Sequence, residues 1–167
     1  MDFILIVLRL VHIVAGSFWV GAALAMTLFV EPSAHEAGPA GSQFMQRLGQ
    51  SKYGLTMTIA AILTVVGGYL LYGYLGYTLR SLTGVILLIG GLVATVSLIY
   101  GGAVTGPTTA KLGKLGAAIQ AGGKPPTPEQ LSELQALQAT LQQAARINTV
   151  LVVVALVLMV VARYVRF

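Results

Sequence analysis

Apolar runs at residues 3–30, 53–76, 82–105 and 150–162 alternate with polar segments rich in glycine and proline. About 20 apolar residues, each rising about 1.5 Å along a helix, cross the hydrocarbon core of a bilayer. The first three runs therefore predict transmembrane helices. The fourth is short, but no breaker divides it from the helical pattern before it. That pattern begins at Thr127-Pro128-Glu129-Gln130, where threonine can cap, proline suits the first helical position and glutamine completes a capping box. One helix over 128–166 would be about 60 Å long at 1.5 Å per residue, more than a bilayer needs. The third run also resumes beyond Pro107, with Leu112, Leu115, Ala118 and Ile119, until the breaker Gly122-Gly123-Lys124-Pro125-Pro126 near residue 121. The prediction is an all-α, polytopic membrane four-helix bundle forming one domain, 1–167. Its last two helices extend beyond the membrane as a helical hairpin, with Leu131, Leu134, Leu137 and Leu141 packed against the 112–119 stripe.

Finer features follow from spacing. Pro32 should end the first helix, since proline lacks the N–H needed to continue the ladder. Between 33 and 52, Phe44, Met45 and Leu48 share one side of a short helix suited to the membrane surface. Ala60, Thr64 and Gly67 in the second run, and Gly90, Ala94, Ser97 and Gly101 in the third, predict seams of close helix packing. Tyr69, Tyr72, Tyr74 and Tyr77 read as an interfacial belt, and Arg146 and Asn148 as interfacial anchors.

Composition agrees with membrane residence: 56% of residues are hydrophobic and 9% charged, against about 25% charged in soluble domains. The net charge of +5 is too dispersed for a nucleic-acid footprint. Absence of cysteine excludes disulfides, thiolate metal sites, iron–sulfur clusters and covalent haem attachment. Asp2 stands where a signal peptide carries a basic cluster, so the first run reads as a retained helix. Arg47, Lys52, Lys111, Lys114, Lys124 and Arg146 fall on the side of the two long connections, against Arg80, Arg163 and Arg166 on the side of the termini. The positive-inside rule therefore places the long connections in the cytoplasm.

The chemistry concentrates in the first helix. His12, Gly16, Trp19, Ala23 and Met26 share one face, with Arg9 one turn before His12. Imidazole is a ligand for haem iron, copper or zinc. One histidine cannot build a zinc or copper site, and His35, 23 residues on, would lie about 35 Å away on a straight helix. A haem held by His12, alone or with Met26 or Met57, fits better, as does pairing across a symmetric dimer. Gly16 would then clear room for the porphyrin and Arg9 would meet a propionate. In the alternative, His12 hydrogen-bonds a neighbouring helix while Arg9 snorkels to the interface. The five acids, Asp2, Glu31, Glu36, Glu129 and Glu133, all fall outside the predicted hydrocarbon region, and no catalytic triad or paired-carboxylate arrangement can be assembled.

The segment His12-Ile-Val-Ala-Gly-Ser-Phe-Trp19-Val-Gly21 resembles the first helix of two membrane families, the copper-resistance protein D family and the bacterial haem-containing protoporphyrinogen oxidases. The resemblance covers about 20 of the 167 residues and implies a multi-helix membrane bundle with haem bound at His12. The oxidases follow their tryptophan with a Pro-Arg pair, where this chain has neither proline nor arginine over 22–27. A copper carrier would offer repeated Met or His ligands, and the five methionines here are scattered. The rest of the chain resembles small bacterial four-helix membrane proteins.

The leading expectation is an inner-membrane protein binding b-type haem through His12, with Arg9, Gly16 and Trp19 around it, for electron transfer or for haem or porphyrin handling. One alternative is a cofactor-free accessory or assembly protein that docks a membrane-protein partner through its hairpin. Another is copper transport. The small-residue seams and the leucine stripe also suit a homo-oligomer.

Overall fold

The computed structural model describes residues 2–123 and 125–165. The breaker residue Lys124 and the charged Arg166, last residue of the expected final helix, lie outside them. The chain forms α1 (Phe3–Ala25), a π-turn (Met26–Val30), α2 (Glu31–Glu36), α3 (Pro39–Gln50), α4 (Tyr53–Tyr74), α5 (Leu82–Tyr100), a second π-turn (Gly101–Thr105), α6 (Gly106–Ala121) and α7 (Pro128–Val161). Four continuous helical stretches, Phe3–Glu36, Tyr53–Tyr74, Leu82–Ala121 and Pro128–Val161, are long and apolar enough to cross a membrane. The protein is an all-α, multi-pass membrane bundle.

Local signals set the helix ends. Asp2 accepts from the Leu5 N–H at the start of α1, and Ser81 accepts from Gly84 at the start of α5. Thr127 and Gln130 close the reciprocal capping box of α7. Pro32, however, does not end the first helix. It and Pro107 each stand two residues after a π-turn, in the first turn of α2 and α6. A proline in an α-helix clashes with the carbonyl four residues back and withholds a donor from it. The π-turns shift that bonding to five residues: Glu31 N–H donates to Met26 O and Gly106 N–H to Gly101 O. The wider turn absorbs the proline, and the helix continues.

In the membrane half, α1 lies chiefly against α4, α5 against α7, and α4 against α5. Trp19, Ala23, Ala60, Ala61, Ala94, Val152 and Ala155 form the core. Six small or β-branched residues around one indole let the helix backbones approach closely. The predicted seam on α5 is a packing seam: Gly90, Ala94 and Ser97 are buried, and a Cβ on Gly90 would meet Leu158 and Met159 of α7 at 3.2–3.3 Å.

Beyond the membrane half, α6 and the first half of α7 pack as a hairpin. Leu134, Leu137 and Leu141 are half-buried, while Leu131 near the tip is exposed. In contrast to a free helix on the membrane surface, α3 runs beside α6 as a third helix of this cap. Gly49 approaches Thr109, and Gln46 lies over Gly116. Its sharp junction with α2 needs glycine twice. Gly38 has φ +58°, and a Cβ on Gly41 would strike the carbonyl of Ala34.

Candidate functional site

Two places in the membrane half stand out for their polar groups, and the sequence pointed to one of them. The first is His12. Its Nδ1 lies 2.8 Å from the backbone oxygen of Thr64 on α4. A carbonyl only accepts, so Nδ1 carries the proton, and in the neutral ring Nε2 is the nitrogen with a lone pair. The ring rests in a notch made by two glycines. A Cβ on Gly68 would come within 3.0 Å of His12 Cε1, and one on Gly67 within 3.4 Å of His12 Cβ.

The other residues expected around a haem are placed differently. Gly16 faces the Thr64 side chain, with 3.3 Å between its would-be Cβ and Thr64 Cγ2. The room it makes is filled by α4. Trp19 is 3% exposed and sits at the centre of the helix core. Arg9 is exposed. Of the four, His12 alone fits a haem iron: a ligating histidine characteristically donates its other N–H to a carbonyl or carboxylate. No group of three or more His, Cys, Asp or Glu among the described residues is arranged to hold a metal ion.

The second place is a layer at the opposite end of α1, where both π-turns touch α7. Ser97 Oγ, with 0% exposure, donates to Asn148 Oδ1 at 2.6 Å. Thr27, inside the first π-turn, is 2.8 Å from Thr149 Oγ1, and the Thr149 hydroxyl donates to the carbonyl of Ala23 at 3.4 Å. At the rim of this layer, partly buried Glu31 lies within electrostatic reach of Arg146 and Tyr53. Asn148, expected as an interfacial anchor, is instead bonded inside the bundle. The layer ties α1 and α5 to α7 through side chains where both π-turns interrupt the regular backbone ladder.

At the end carrying the termini, the tyrosines expected as an interfacial belt connect helices. Tyr69 Oη is 3.0 Å from Thr95 Oγ1, and Tyr74 donates to the Asp2 carboxylate. Tyr72 stacks obliquely on Tyr77, at 5.8 Å between ring centres. The Tyr74 hydroxyl, then the Leu5 amide, hold the exposed Asp2 carboxyl below the usual carboxylate range.

No family model, curated protein or solved structure matches this chain.

Proposed function

We propose that the protein is a cofactor-free accessory or assembly subunit of the bacterial inner membrane, presenting its three-helix cap to a membrane-protein partner. The observation that carries this reading is the length of α7. Its 34 residues make a rod of about 51 Å at 1.5 Å per residue, against a hydrocarbon core of about 30 Å. The excess is braced by α6 and α3 into a preformed projection. The membrane half, by contrast, spends Gly16, Trp19 and the Nδ1 of His12 on its own packing. Arg47, Lys52, Lys111 and Lys114 favour a cytoplasmic cap.

Photo-crosslinking in intact membranes tests the reading. A photoreactive residue at exposed Gln135 or Gln142 should give a discrete protein adduct, whereas one at Val157 on the lipid-facing side should give lipid adducts only. Adducts with a second copy of the chain alone, or no protein adduct from any face of the cap, would overturn the proposal.

A second reading, haem bound through His12, is favoured by one observation: the Nδ1–H bond to Thr64 leaves Nε2 in the form that ligates iron. Oxidised and dithionite-reduced spectra of protein from haem-replete cells decide between the two. A Soret band absent from His12→Ala would move the function to haem. A flat spectrum would remove that reading.

A further inference from the structure

The cap carries a feature that the docking reading does not use. Along α3, Gln43, Gln46, Arg47 and Gln50 recur at steps of 3, 1 and 3, which puts them on one helical face. Opposite stands Gln120 of α6, and these five side chains line a cleft of about 390 Å³. That size suits a small ligand. Glycine at 116 leaves Gln46 its place in the cleft, since a Cβ there would come within 2.5 Å of Gln46 Nε2 and shift that side chain. Among the described residues, neither a carboxylate nor a hydrocarbon side chain lines the cleft.

The donor balance defines the ligand. A guanidinium offers five N–H groups in a planar fork, and each carboxamide offers two more. One positive charge surrounded by this many donors matches an anion with several oxygens. A carboxylate has two oxygens to share among five side chains, whereas a phosphate has three or four. Arginine meets phosphate in two-point geometry. We propose that the cleft between α3 and α6 binds a phosphate group, held by Arg47 and oriented by the glutamines. The group is either inorganic or carried on a phospholipid headgroup.

The test uses the full chain in nanodiscs. In phosphatidylcholine nanodiscs, titration with inorganic phosphate, followed by ³¹P line broadening at constant ionic strength, should saturate. Arg47→Gln should weaken binding at least tenfold, and Gly116→Ala, which displaces Gln46, several-fold, with helical circular dichroism unchanged in both. Arg47-dependent broadening of phosphatidylglycerol in its own nanodiscs, without binding of inorganic phosphate, would identify the headgroup as the source. Absence of both signals, or equal binding by Arg47→Gln, would overturn the proposal.

Discussion

The His12 notch and the polar layer around Asn148 both bury polar groups among apolar helices, in opposite ways. The notch is one ring against two glycines and one backbone oxygen, and it joins two helices. The layer joins three, through reciprocal side-chain bonds at the level of both π-turns. In the notch a rare residue is accommodated by removing neighbouring side chains. In the layer common residues become significant because the fold brings them together. Rarity marks the first, and assembly makes the second.

Substitutions can break this contrast, and Trp19, between the two places on α1, sets the scale. Trp19→Ala should be the most disruptive, at about 3–5 kcal/mol for deleting a buried tryptophan, read from denaturant unfolding in detergent. Asn148→Leu should come next, at about 1–2 kcal/mol, because it strands the buried Ser97 hydroxyl. Adding Ser97→Ala should recover part of that loss, since both partners are then gone. If the double variant is as unstable as the sum of the singles, the pair is not the unit that holds α5 to α7. At the notch, His12→Ala should cost about 0.6–1.7 kcal/mol, the range for an interhelical hydrogen bond in a membrane. A larger loss than that of Asn148→Leu would reverse the ranking of the two places.

The smallest effect belongs to Asp2. A carboxyl held below its ordinary range stabilises the fold at pH above that range. The contribution falls away as acidification passes through the lowered folded-state value. Asp2→Asn should flatten the acid limb of the stability–pH profile by slightly lowering neutral stability while leaving acid stability unchanged. An unaltered acid limb would show that the Tyr74–Asp2 bond is not formed in solution.

The same contrast explains what the sequence made legible. The four spans, the α7 capping box and the α5 seam rest on local periodicity or local chemistry, and they match the structure. Gly16 and Trp19 were correctly placed on one face with His12, yet spacing does not say what that face meets. It meets α4 and the core. The layer was hidden because Ser97, Thr27, Asn148 and Thr149 are each unremarkable, and because their contacts join residues 51 and 122 positions apart. The continuation of α1 past Pro32 was hidden for a related reason: a proline reads as a stop unless a π-turn precedes it. The recurrence of the same offset before Pro107 is a signal that could have been found. A short α3 was legible, but its place beside α6 depends on Gly116 and Gly49, on which periodicity is silent.

Because α7 runs unbroken from the capping box at Thr127 into the core at Val152 and Ala155, the cap and the membrane half share one beam. A beam transmits rotation. If bilayer thickness or a neighbour tilted its lower part by about 10°, within the spread of membrane helices, the far tip, about 21 Å beyond the hydrocarbon core, would swing by about 4 Å. The two π-turns interrupt the other helices that leave the membrane, whereas α7 has no such joint. Mechanically, the protein is a lever with one arm in lipid and the other ending at the exposed tip of the cap.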